Sequence, residues 1–263
     1  MMRISTLLLF LVSLTDANQE TLIGITGKDF VLLGADSSIS SGGSISWTAK
    51  VDKISVFGTS ATAAAGDAAD TDRLVGMLRA HSNIRDYEAS VGSDVEYMGG
   101  EEEEPSHGLS VDEVAHLARY QIAQSLRSRA QLNVCLLIAG MSPSEEEDDE
   151  GDHFTKRLQH QVQQATNQPE PTSSFAVTKS LLQPRLFWID QYGSMQKLKY
   201  GAHGYAANFL LSVLDQGYRE NLSKEEAIDL MKTCFEQLRV RYIIHSPLPP
   251  CIKCIDQEGC RLV

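Results

Sequence analysis

The chain has little that would place it in a membrane or on a nucleic acid. Its one notable apolar run, Leu7–Leu14, is shorter than the roughly 20 residues a helix needs to cross a bilayer. Lysine and arginine number 23 against 35 aspartates and glutamates, giving a net charge of −12. The basic residues form no patch of the kind a polyanion requires, so nucleic acid is not expected as a partner. Cysteine is scarce: five residues, an odd number with no regular spacing, fit a reducing compartment better than a disulfide framework. The first residues point the other way. Arg3, the run Leu7–Leu14 and then Thr15-Asp16-Ala17 have the order of a secretory signal. Residues 1–19 are therefore either a leader, leaving secretory or organelle targeting open, or a dispensable extension.

The acid excess is uneven, with Glu101–Glu104 and Glu145–Glu150 carrying much of it. A run of four glutamates could hold a cation, although such runs are ordinarily solvated loops. One domain is expected over residues 20–263, with acidic insertions at about 94–109 and 141–184. The second insertion has no periodicity and contains Pro169-Glu170-Pro171.

The domain is organised around residues 20–36. Leu22–Ile25 and Phe30–Leu33 are two short apolar arms around Gly27-Lys28-Asp29, a hairpin signature. Both arms are nearly continuous in apolar residues, so both faces are expected to be buried at the centre of a sheet. Ser37–Ser46 reads as a loop or weak strand. Lys53–Phe57 and Ala61–Ala65 read as strands, and a helix from Ala68 should turn Leu74, Met77, Leu78 and Ile84 inward. Ser110-Val111-Asp112-Glu113 is a capping box, opening a helix with Val114, Leu117, Ile122 and Leu126 inward that ends at Arg127-Ser128-Arg129. Strands follow at Asn133–Gly140, Arg185–Asp190 and Met195–Tyr200. A helix carrying Phe209, Leu210, Val213 and Leu214 stops at Gly217. Ser223–Glu226 is a second capping box, and the helix behind it should bury Ala227, Ile228, Met231, Phe235 and Leu238. Cys251–Asp256 is the last strand, followed by a turn at Gly259. Strands apolar on both faces, flanked by two helix pairs, imply an α+β protein of four layers, helix–sheet–sheet–helix.

Cys251 and Cys254 invite a metal or redox reading. Residues three apart on a strand point to opposite faces, and no second pair exists, so no metal or cofactor is assigned. His203 could serve as a base or be a packed side chain. The stronger set is Asp36, closing one strand, Lys53, opening another, and Gly66, preceding a helix.

Glu20-Thr-Leu-Ile-Gly-Ile, Gly34-Ala-Asp-Ser, Asp52-Lys53-Ile54, Ala65-Gly66-Asp67, Leu126-Arg-Ser-Arg129, Asn133-Val134 with Leu136–Gly140, Gly201–Tyr205 and Leu214-Asp-x-Gly-Tyr218 follow one another in an order that resembles the β-type subunits of the 20S proteasome. The likeness is strongest to the non-peptidase subunit at the fourth β-ring position. It implies the four-layer αββα sandwich of N-terminal-nucleophile hydrolases. Active members free a threonine whose hydroxyl attacks the peptide carbonyl while its α-amine acts as base. Asp36, Lys53 and Gly66 match the acid, the lysine and the oxyanion-holding glycine that support this chemistry. The nucleophile departs from the pattern. Gln19-Glu20-Thr21 stands in place of a glycine and paired threonines, and counting back from Asp36 puts Glu20 at the reactive position. His203 and Tyr205, and Arg241-Tyr242, replace the family's serines and acid. The resemblance thus implies a silent scaffold in the cytoplasm and nucleus. Its partners would be ring neighbours among the β subunits, α-ring subunits and the opposite β ring, with no membrane or cofactor. The alternatives are a peptidase using Thr21 with Asp36, Lys53 and Gly66, or a secreted or organelle-targeted protein of the same fold.

Overall fold

The computed structural model describes residues 20–41, 45–48, 51–92, 109–143, 182–242 and 248–263. The leader and both acidic runs lie outside the described residues. No helix among the described residues is long and apolar enough to cross a membrane.

The central hairpin forms as its pattern requires. β1 (Leu22–Thr26) and β2 (Phe30–Ala35) pair antiparallel, Leu22 opposite Ala35 and Thr26 opposite Val31, and every residue of both is buried. With β10 (Tyr200–His203), β11 (Cys251–Asp256) and β12 (Gly259–Leu262), strand order in this first sheet is β10-β1-β2-β11-β12, so the hairpin holds the middle. The second sheet has the order β5-β6-β7-β8-β9, from β5 (Ile54–Phe57), β6 (Ser60–Gly66), β7 (Val134–Pro143), β8 (Leu182–Ile189) and β9 (Met195–Lys197). Helices α1 (Ala68–Gly92) and α2 (Val111–Ser125) cover the second sheet. Helices α3 (Ala207–Gly217) and α4 (Lys224–Arg241) cover the first.

Period-two alternation of the strands separates three apolar layers. On β1 and β2, Leu22, Val31 and Leu33 turn toward the second sheet and meet Ala61, Ala63, Leu137 and Leu186. Ile23, Ile25 and Leu32, between them in sequence, turn the other way onto Leu210, Leu214, Met231 and Cys234 of the helices. Leu136 and Ile138 alternate with Leu137 and face Leu74, Leu78, Val114 and Ile122. Three apolar layers need four layers of structure, so the helix–sheet–sheet–helix order follows from the alternation. Both helices with capping boxes start as their sequences specify. Glu113 N donates to Ser110 Oγ and Ser110 N to Glu113 Oε2, and Glu226 and Ser223 repeat the arrangement.

Of the two readings of Ser37–Ser46, the strand is the one realised: β3 (Ile39–Ser41) and β4 (Ile45–Thr48) form a two-stranded sheet of their own. Several other expectations are corrected. Ile84 is 56% exposed, because the inward face of α1 is set by Leu74 and Leu78. Helix α2 ends at Ser125, short of the arginines, where Ser125 Oγ donates to Ile122 O and accepts from Leu132 N. On α4 the buried residues are Ala227, Met231, Cys234 and Leu238, while Ile228 and Phe235 are half-buried. Gly217 is the last residue of α3 without a left-handed conformation; its small size matters because a Cβ there would lie 2.4 Å from Leu230 Cδ1.

Met195–Tyr200 is not one strand. Leu198 N still bonds to Leu186 O of the second sheet, while Lys199 O accepts Thr26 N of the first. The chain changes sheets between these two residues. Tyr200–His203 is therefore β10, paired with β1, rather than a lead into a helix. Residues 141–143 and 182–184, expected in the second insertion, are strand. Met141↔Pro184, Ser142↔Gln183 and Pro143↔Leu182 continue the ladder, leaving residues 144–181 outside the described part. Pro184 is tolerated there because β9 pairs only with Phe187–Ile189, so β8 is an edge at that point. Cys251–Asp256 is β11 but not the last strand, because the turn before Gly259 leads into β12 (Gly259–Leu262).

Leu137 sits fully buried between the two sheets. Leu137→Ala should lower unfolding free energy by about 2–5 kcal/mol, measured by denaturant titration.

Candidate functional site

Four elements bring Asp36, Lys53 and Gly66 to one corner, and Glu20 joins them. β2 ends at Ala35, so Asp36 leaves the sheet edge, where its backbone N bonds Thr21 O at 3.1 Å. Thr21 N returns the contact to Asp36 Oδ1 at 2.8 Å. Lys53 enters just ahead of β5. Its ammonium donates to Asp36 Oδ1 (3.0 Å) and Ser38 O (2.7 Å) and lies 3.2 Å from Glu20 Oε1. Three ammonium protons thus meet three acceptors. Glu20 Oε2, the other carboxylate oxygen, accepts the backbone N–H of Gly66 at 3.0 Å. Ser38 Oγ donates to Asp36 Oδ2 at 3.1 Å.

Each of these residues is under 10% exposed: Glu20 7%, Thr21 2%, Asp36 7%, Ser38 6%, Lys53 8%. A buried lysine between two carboxylates holds only if all three charges are paired and hydrogen-bonded, as they are here. The Glu20 carboxylate also sits at the strand-to-helix junction, where the positive end of α1 favours an anion. Asp67 caps that end, accepting Ala69 N at 3.0 Å and Asp70 N at 3.3 Å.

Two glycines make the corner possible. Gly66 has φ +148°, and a Cβ on it would lie 2.1 Å from Asn133 O. Gly204 has φ +108°, and a Cβ there would lie 1.8 Å from Glu20 O. Both conformations favour glycine, and both glycines let a neighbouring backbone close in.

The arrangement offers an oxyanion-type donor, Gly66 N–H, but a carboxylate already occupies it. Thr21, the alternative nucleophile, has its backbone N–H committed to Asp36. His203 is brought near in the chain but turned away. It sits opposite Leu22 on β10, so its ring points between the sheets, stacks on Trp188 at 4.6 Å and donates from Nε2 to Leu136 O at 3.1 Å. Desolvation lowers its pKa from 6.5 to about 4, with the Leu136 carbonyl and Asp190 opposing that shift. His203 is thus a packed, neutral side chain. Tyr205 and Tyr242 belong to an aromatic group with Phe209, over which Arg241 lies. Cys254 packs against the helices and Cys251 between the sheets, on the opposite faces their spacing requires. Sequence reasoning placed Glu20 at the reactive position but missed its bond to Gly66 N–H and its pairing with Lys53. It also missed Ser38. The only available signal was the count from Asp36, which carries no information on where a side chain points.

Two stacked antiparallel sheets between two helix pairs form the αββα sandwich of the N-terminal-nucleophile hydrolase fold. The family model described as Proteasome subunit matches residues 17–98 and 144–245, more than half of the chain. This chain belongs to the proteasome subunit family. It is similar to the probable proteasome subunit beta type-4 of Neurospora crassa, 27% identical over 84% of each chain. Proteasome subunit beta type-4 of Saccharomyces cerevisiae is 26% identical over 93% of this chain and 96% of its own. Proteasome subunit beta type-2 of Oryza sativa is 40% identical over a shorter stretch, 29% of this chain and 35% of its own.

Removing the ammonium from this corner leaves two buried carboxylates facing each other. Lys53→Met should cost about 3–5 kcal/mol in denaturant unfolding, and adding Glu20→Gln should recover part of it. His203 makes a separate, pH-dependent contribution. Between pH 6.5 and about 4 the unfolded chain binds a proton there that the folded chain does not. That stability is complete above pH 6.5 and is lost on acidification toward pH 4, by about 3 kcal/mol. Unfolding measured across this window should show the slope in the wild type and lose it in His203→Gln.

Proposed function

We propose that this chain is a non-catalytic structural β subunit of the 20S proteasome core, working by shape and contact in the protein-degrading particle of the cytoplasm and nucleus. Its partners are two β-ring neighbours, the α-ring subunits and the opposite β ring. The observation that carries this reading is the Glu20 carboxylate on Gly66 N–H. A site that must hold a transient oxyanion cannot keep a permanent anion on the donor, and an acid at that place supplies neither hydroxyl nor amine. In this reading Asp36 and Lys53 persist as a structural ion cluster. The beta type-4 names of relatives that cover most of the chain support the same assignment. A peptidase built on Thr21 would need its amine released from Asp36 and the Gly66 donor cleared of Glu20.

The native mass of the particle containing this chain tests the proposal, together with Thr21→Ala. The expected outcome is a particle many times the 28.9 kDa of the chain, with its peptidase activities unchanged by the substitution. A small monomer that hydrolyses peptides, or the loss of one peptidase activity in Thr21→Ala, would overturn it.

A further inference from the structure

α1 and the end of α2 enclose a groove of about 470 Å³. The start of α1 and the end of α2 lie together because Gly66 pairs with Val134 in the sheet beneath. Asp67 N bonds Asn133 O, and Asn133 N bonds Asp70 Oδ2, tying the turn after α2 to the first turn of α1. The turn itself is held by side chains. Ser128 Oγ accepts Ala130 N, Gln131 Nε2 donates to Leu126 O, and Leu132 N donates to Ser125 Oγ. Arg129 is thus presented by a stiff loop, across from Arg73 of α1.

Both guanidiniums line the groove with Gln121, Gln124, Met77 and the buried Leu132, and among the described residues no carboxylate lines it. In a chain of charge −12 this is a local reversal of sign. Arg85, Lys199, Lys224, Arg239, Lys253 and Arg261 each hold a carboxylate within 4.0 Å. Arg73 and Arg129 have no ion pair among the described residues, and Asp70, one turn before Arg73, is engaged by Asn133 N.

We infer that this groove is a docking site for an acidic peptide segment of a partner protein. Two guanidiniums offer forked donors to carboxylates. The glutamines can donate to and accept from a peptide backbone. Met77 and Leu132 suit an aliphatic side chain between the acids. A free small anion would leave those two side chains uncovered. A nucleic acid would find no aromatic lining on which to stack. The inference rests on the groove and goes beyond the assembly reading, which it does not require.

The test is fluorescence anisotropy of a labelled Glu-Glu-Leu-Glu-Glu peptide titrated with the full-length chain. The wild type should bind, R73Q/R129Q should bind about tenfold more weakly or worse at an unchanged melting temperature, and Lys28→Gln should bind as the wild type does. No binding by the wild type, equal binding by R73Q/R129Q, or displacement by inorganic phosphate as effective as by unlabelled peptide would overturn the inference. None of these outcomes depends on the mass of the native particle.

Discussion

Among the described residues Lys53 is the one cation in a buried corner that holds two carboxylates, and the local architecture keeps all three groups paired. Its ammonium faces Glu20, Asp36 and the Ser38 carbonyl at 2.7–3.2 Å. Glu20 arrives from the chain ahead of β1, Asp36 from the end of β2, and Lys53 from the start of β5. The cluster therefore ties the end of β2 in the first sheet to the start of β5 in the second. A buried charge of this kind adds little net stability when complete and costs much when broken. It fixes which backbone passes where: Glu20 must lie against Gly204, and Gly66 must aim its N–H at Glu20.

The rest of the sandwich supplies a rigid setting for that corner. Strands buried on both faces alternate their side chains between a sheet–sheet layer and a helix layer, so a shift of one residue would exchange every contact. The helix side of the first sheet is filled by α3 and α4, and that of the second by α1 and α2. α1 begins two residues after Gly66, which brings the positive end of a 25-residue helix to the Glu20 carboxylate. That junction stabilises an anion of the chain itself.

Much of this was legible in the residues. The continuous apolar arms of β1 and β2, the two capping boxes and the small residues of β6 each specify local structure strongly. What was hidden has physical reasons. The change of sheets at Leu198–Lys199 has no glycine or proline to mark it, because the chain stays extended while its partner changes. Strand β12 is only four residues long, Gly-Cys-Arg-Leu, with no alternation to mark it, and its pairing with β11 decides it. The ladder at Pro143 and Leu182 continues because Arg185 and Ser142 both bond Asp112, a tertiary contact no local pattern encodes. At the site, Asp36, Lys53 and Gly66 stood out by type and place. The bond from Gly66 N–H to a side chain 46 residues away did not.

The account turns on whether the reactive corner of the sandwich is closed by its own carboxylate. Intact-mass spectrometry of this subunit, taken from its native particle after saturating treatment with an electrophilic threonine-directed peptidase inhibitor, addresses that directly. The account predicts that other subunits of the particle gain the inhibitor's mass and this one does not. A stoichiometric adduct on this chain, mapped to Thr21, would contradict it.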